Sequence, residues 1–428
     1  MEHFDYSLSK KCFFAAVVCF FVLSLSYNGL CETQKTETLP ELIAEVLENN
    51  PGVLGAYSQW KAAEYRIGQS QSLPDPMLQY TYYGESVETR VGPQENKYSI
   101  SQKIPFPAKL GMKGVVESKK AQMAREKFEA ITREIIKRVQ FVYYDIYWVD
   151  KAIQLIEEEK STLKKMESVA RKKYELNTAS QQDVIKAQVE LSKIINKIMF
   201  FQQNRTSLNA ELNSLLNRDK NKEFGSVEEF VPEEFNYKLN ELHEIAKETR
   251  QELLAARLDI ERAEYEKSLA QMDYIPDLTF GFEYIQVGKG QTNQPNDGQD
   301  AWMSSFSINI PIWFNRLSDQ LNEKKALIDA SKKNYEDIEN RVYYEVEDMF
   351  FKIMTYKDVV SLYKTALLPQ TDQAFEATRT AYETDTVDFL NWLDSERVLL
   401  QTRLAYYKAI VDYQKSIAYL ERVVGQDL

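Results

Sequence analysis

Two periodicities divide the chain. Apolar residues two apart mark short extended segments, and apolar residues seven apart mark very long helices. Leu78, Tyr80 and Tyr82 share one face against Gln79, Thr81 and Tyr83. After the turn-rich stretch 88–96, Tyr98, Ile100 and Gln102 alternate with Lys97, Ser99, Ser101 and Lys103. This predicts a hairpin closed by a loop containing Gly92-Pro93. Ile104-Pro-Phe-Pro107 ends it. Helix is then expected from Ala108 to roughly Lys165, about 58 residues or on the order of 87 Å. Phe128, Ile135, Val142, Val149, Ile156 and Leu163 recur at sevens, with Val139, Ile146 and Ile153 between them. After a turn at Asn177 a second helix returns, with Val184, Leu191, Ile198 and Leu212 in one row, broken at Arg205. Ala187, Ile194, Phe201, Leu208 and Leu215 form the other row. The two helices should pair as an antiparallel hairpin.

The pattern then repeats. A helix is expected over 239–272, broken by Ile275-Pro-Asp277. Leu278, Phe280, Phe282 and Tyr284 alternate, and so do Trp302, Ser304, Phe306, Ile308 and Ile310 beyond the polar loop 287–300. A further long helix follows, with Ile328, Tyr335, Val342, Met349, Tyr356 and Tyr363 at sevens, and Pro369 should kink or break it. The turn at Asp385 leads into a last helix ending near Val424-Gly425. Tyr382-Glu-Thr-Asp-Thr-Val-Asp388 stands 208 residues after Tyr174-Glu-Leu-Asn-Thr-Ala-Ser180. A chain matching itself over nearly half its length has been built twice. We divide it into a signal segment 1–31, a first repeat 32–217 (β-hairpin 77–104, helical hairpin 108–217), a linker or equatorial segment 218–238, and a second repeat 239–428. The last holds a helix, a β-hairpin 278–310 and a helical hairpin 316–425. The first repeat opens with helices too, interrupted at Asn50-Pro51-Gly52.

Composition narrows the function. Apolar residues make up 44% and charged residues 28%, which fits neither a disordered chain nor a bundle of membrane helices. A net charge of −12 argues against nucleic acid as a partner, since phosphate binding needs basic surface. Cys12, Cys19 and Cys31 are the only cysteines, and histidine is confined to His3 and His243. That argues against catalysis by Cys or His constellations, and no catalytic, cofactor or metal residue is expected. Lys10-Lys11 followed by the apolar run 13–25 has signal-peptide proportions. Cys31 is either the last residue removed or the acylated cysteine of a lipoprotein signal.

Each repeat therefore holds one amphipathic strand pair and one very long helical hairpin. Strands of about ten residues, apolar on one face and polar on the other, are built like membrane-barrel strands. Four of them cannot close a barrel, so oligomerisation is expected.

These features carry a resemblance. Leu73-Pro-Asp-Pro-Met-Leu78, Ser101-Gln-Lys-Ile-Pro-Phe-Pro-Ala-Lys-Leu110, the first tip running through Asp183-Val184 into Ile185-Lys-Ala-Gln188, and Ala381 to Leu390 followed by Leu393-Asp-Ser-Glu396 together resemble the TolC-like outer-membrane efflux proteins across nearly the whole chain beyond residue 31. The resemblance implies a mainly α fold with a small β part: long coiled-coil hairpins plus four membrane strands per chain, three chains forming a 12-stranded β-barrel on an α-helical tunnel. It implies a passive exit duct of the bacterial outer membrane with a large periplasmic portion. The implied partners are two further copies, outer-membrane lipid, a periplasmic adaptor (membrane fusion protein) and an inner-membrane pump. The Pro-Phe-Pro-Ala-Lys-Leu stretch resembles ducts paired with heavy-metal pumps of the resistance-nodulation-division type. It also implies adaptor contact at the tips, around Tyr174, Asn177, Thr178, Tyr382, Asp385 and Thr386, where Asn177 and Asp385 replace the family's usual Gly. Asn391 and Asp394 match an acidic periplasmic gate, with one carboxylate missing. Competing readings are a type I secretion duct, a periplasmic structural coiled coil and an adaptor.

Overall fold

The computed structural model describes residues 37–230, 232, 234–290 and 295–428. The signal segment, Cys31 included, lies outside them. The first repeat opens with α1 (Leu39–Asn49) and α2 (Pro51–Gln71). Asn50 separates them in an extended conformation, its side chain accepting from the Gly52 and Val53 N–H groups. Strands β1 (Met77–Thr89) and β2 (Gly92–Ile104) follow, then α3 (Pro107–Glu175) and α4 (Gln181–Leu215). The second repeat runs α5 (Leu239–Thr249), α6 (Gln251–Met272), β3 (Leu278–Val287) and β4 (Ala301–Ile308). It ends with α7 (Phe314–Leu362), a π-helical turn (Tyr363–Leu367), α8 (Leu368–Glu383) and α9 (Phe389–Val424).

Several sequence expectations change. The loop expected at 88–96 is a two-residue turn, because β1 continues to Thr89 and β2 starts at Gly92. Backbone pairing extends the strands past the point where apolar alternation stops. The second hairpin's loop holds this turn, with Gly288 N–H donating to Pro93 O and Gly298 N–H to Val91 O, both at 2.7 Å. Gly92 has φ +121°, and a Cβ there would sit 2.0 Å from Gly288 O. The helix from Ala108 starts at Pro107 and runs ten residues past Lys165, to Glu175, because Met166 and Ala170 keep its core stripe. The helix expected over 239–272 is two, parted at Arg250. Pro369 neither breaks nor ends its helix. The wider π turn just before it accommodates a residue that lacks an N–H.

The four strands form one antiparallel sheet in the order β1-β2-β3-β4. Register aligns Tyr80, Tyr98, Tyr284 and Trp302 in one row straight across it. Ile100 opposite Phe282 and Phe280 opposite Phe306 extend this exposed aromatic face. On the reverse face Lys97 pairs with Glu283 at 2.7 Å among Ser99, Ser101, Thr279, Ser305 and Ser307. Among the described residues no helix is long and apolar enough to cross a membrane.

The long helices pack side by side in a layer. Helix α3 touches α4, α2, α9 and α6. α9 and α6 in turn pack on α7. Two shorter helices thus succeed one another beside the through-running α3 and α7. Each succession is spliced by side chains. Asn50 Nδ2 donates to Leu215 O at the end of α4 (2.7 Å). At the end of α9, Thr249 Oγ1 donates to Val424 O (2.7 Å), Gln251 Nε2 to Gly425 O (3.0 Å) and the Arg250 guanidinium to Arg422 O. These bonds use carbonyls that a helix end leaves without partners. The heptad residues Val139, Val142, Ile146, Val149, Ile156 and Leu163 are all buried. Arg205, which interrupts its row, donates to Asp150 Oδ1 and to the carbonyls of Phe224 and Gly225. It thereby pins the segment after α4, which crosses the layer through Phe230 on Tyr147 and Phe235 on Phe350.

Candidate functional site

The two hairpin tips share one construction. Asn177 (φ 61°) and Asp385 (φ 58°) take the left-handed backbone, a conformation open to Asn and Asp at modest cost. Thr178 donates both its N–H (2.8 Å) and its hydroxyl (3.0 Å) to Lys173 O; Thr386 does the same to Ala381 O, both at 2.8 Å. This closes the helix ends in a Schellman-like pattern. Each threonine is therefore part of its turn.

The aromatic residues of the tips have diverged. Tyr174 is exposed, whereas Tyr382 is buried between Phe389 and Trp392. Burial pushes the Tyr382 hydroxyl up to about 12. Lys173, at the end of α3, reaches across to the second tip. Its ammonium donates to Tyr382 O (2.7 Å), pairs with Asp385 and sits 4.6 Å from the Tyr382 ring centre. Further along, Glu190 of α4 pairs with Arg397 of α9. Burial pushes the Glu190 carboxyl up, but the Lys193 and Arg397 hydrogen bonds hold it below the usual range. The two hairpins are thus tied at two levels. Sequence reasoning missed both ties, since neither partner pair is close in sequence.

Asn391 and Asp394 lie together on the exposed face of α9, one turn apart. Asn391 N–H donates to Asp388 Oδ1 at 2.9 Å, which caps the helix. Glu396, two residues beyond Asp394, points the other way. It is 4% exposed, its Oε2 has no partner, and burial pushes its carboxyl up to about 7 against a weaker pull from Arg403. The sequence placed it at the end of the Leu393-Asp-Ser-Glu396 motif but gave no sign of its burial.

At the opposite end, the Pro-Phe-Pro-Ala-Lys stretch gains a physical role. Lys109, 6% exposed, donates to Ile275 O and Asp277 Oδ1, both at 2.8 Å, and Asp277 also accepts from Phe106 N–H. One buried ammonium therefore joins the first repeat's strand-to-helix corner to the second repeat's helix-to-strand corner. Among the described residues no cluster of His, Cys, Asp and Glu could hold a metal ion.

Residues 242–426 match the outer membrane efflux protein family. The chain is 21% identical to the outer membrane protein TolC of Vibrio cholerae over 413 residues, 94% of each protein. It is 23% identical to the cobalt-zinc-cadmium resistance protein CzcC of Cupriavidus metallidurans over 174 residues, 40% of this chain and 39% of that protein. The crystal structure of the outer membrane protein VceC from Vibrio cholerae superposes with a TM-score of 0.75 at 16% identity, covering 91% of this chain and 96% of the other. The two strand-and-hairpin units and the four-stranded amphipathic sheet agree with these likenesses: residues 242–426 match the outer membrane efflux protein family, and nearly the whole chain shares the fold of the outer-membrane efflux channels.

Proposed function

We propose that three copies close head to tail into a channel through the outer membrane, forming the exit duct of a tripartite efflux pump. The observation that carries this is that both flanks of the chain are unfinished. β1 and β4 are open sheet edges, and backbone groups at an edge in lipid have no partner unless the sheet closes. The flanking helices carry exposed apolar residues: Ile185, Val189, Met199 and Phe200 on α4, and Tyr344, Phe351 and Leu362 on α7. A heterologous interface that closes joins one flank to the other in every copy. Three four-stranded sheets would make a 12-stranded barrel, with the aromatic face toward lipid and the Lys, Ser and Glu face toward the lumen. The helices would project into the periplasm, where the tips around Tyr174, Asn177, Thr178, Asp385 and Thr386 meet an adaptor coupled to an inner-membrane pump. The likeness to CzcC favours a resistance-nodulation-division pump with metal-ion cargo.

In that ring Asn391 and Asp394 face the tunnel entrance, and three Asp394 carboxylates form a cation-attracting constriction. Lys173 and Asp385 hold the second tip in the closed position. Membrane fractionation with electrophoresis of unheated samples tests the channel reading: a monomer in the soluble fraction overturns it. Divalent-cation block of single-channel conductance tests the constriction, and block unchanged by Asp394→Ala removes that role.

A further inference from the structure

A cavity of about 760 Å³ opens where α9 gives way to α6, walled by α3, α6 and α7. It is of the size that holds drug-sized molecules. Its wall is apolar through Ala130, Ile131, Ile135, Ala255, Ala256 and Ile338. Glu252 Oε2 and Arg422 Nη1 in its lining have no hydrogen-bond partner but belong to the ion-pair network of Glu134, Arg250, Glu252 and Arg422; two acceptors stand outside that network. Gln251 is 7% exposed and spends its amide N–H on Gly425 O, leaving Oε1 unbonded. Glu126 is half-buried in the wall and has no ion pair, whereas Glu134, Glu252 and Asp259 are matched to Lys137, Arg422 and Arg262. Burial pushes the Glu126 carboxyl up, with neighbouring Arg125 opposing weakly. Lys127, the remaining lining cation, is exposed and free to point into water. From Glu126 to Ile135 the α3 wall of the cavity is roughly 13 Å long, and Gln251 lines it from α6.

We propose that this cavity is a binding site for an amphipathic organic cation: an apolar body of drug size with a cationic donor on Glu126 and a second donor on Gln251 Oε1. A passive duct does not require such a site. Every wall comes from one chain, so the proposal stands apart from ring closure and from any pump partner.

The test is fluorescence anisotropy of rhodamine 6G titrated with the full-length protein in lipid nanodiscs, which separates variant-sensitive binding from lipid partitioning. Saturable binding is expected, weakened about tenfold by Glu126→Gln, which removes a charge-assisted contact. It should be abolished by Ala256→Trp, with Ile131→Trp as a second filling variant and far-UV circular dichroism to check folding. Lys127→Ala should leave it intact. Absence of saturable binding, or an isotherm unchanged by both Glu126→Gln and the filling variants, overturns the site. Neutral Nile red binding equally well to wild type and showing the same response to Glu126→Gln overturns the cation assignment.

Discussion

Replacing Glu396 by Gln should stabilise the protein at high pH and leave it unchanged at low pH. The carboxyl is 4% exposed, one oxygen has no partner, and its folded-state value is about 7 against 4.5 in the unfolded chain. Arg403, which opposes the shift, is itself paired with Asp372. Below pH 4.5 both folded and unfolded chains carry the proton, so the group costs nothing. Between 4.5 and about 7 the unfolded chain releases its proton while the folded chain keeps it, and stability falls as pH rises. Above 7 the full penalty applies, about 3 kcal/mol per chain at 1.36 kcal/mol per unit. Gln fills the same space without a charge. Urea unfolding followed by circular dichroism at 222 nm should therefore give equal stabilities for Glu396→Gln and wild type at about pH 3.5, a unit below the unfolded value. At pH 8 the variant should gain about 3 kcal/mol. A gain of the same size at both pH values, or a loss at pH 8, would refute the reasoning.

Lys109→Ala leaves the half-buried Asp277 without its main partner, though with Lys103 and the Phe106 N–H still beside it, and should cost about 2 kcal/mol. Pairing Lys109→Met with Asp277→Asn should recover part of that loss in the same unfolding assay. Asn50→Ala removes a buried cap and strands Leu215 O, for about 3 kcal/mol, read by faster amide exchange where α4 meets α2. Gly425 has φ +87°, and a Cβ there would lie 2.5 Å from Thr249 O. Gly425→Ala should thus cost about 2 kcal/mol or more, seen as a lower unfolding midpoint.

Side-chain periodicity told which face of each element is buried, but not where elements stop. Tyr80, Tyr98, Tyr284 and Trp302 announced a one-sided sheet, and the heptad through Val142, Val149 and Ile156 announced the seam of α3. The extra strand length around Gly92 comes from backbone contacts to Gly288 and Gly298, which no local pattern encodes. The break at Arg250 has neither Pro nor Gly to signal it. Its only trace was the internal repeat, which sets Arg250 opposite Asn50. Pro369 read as a stop because a single residue cannot show that the turn before it has widened. The tips were legible through Asn177 and Asp385. Lys173, Glu396 and Lys109 were not, since their significance depends on what lies hundreds of residues away.

The two splices between successive helices stand at matching places in the two repeats yet differ in what bridges them. At Asn50 the bridge is a neutral amide, with the ion pairs of Arg218 to Glu37 and Glu45 beside it. At Arg250 it is ionic: the buried guanidinium lies among Glu252, Glu345 and Arg422, and Arg422 in turn holds Glu134 and Glu252. Counterions weaken such a joint where they can reach its partly exposed carboxylates. Ionic strength would then reach both joints of the wall, through the Arg218 pairs in the first half and through the Arg250 and Arg422 pairs in the second.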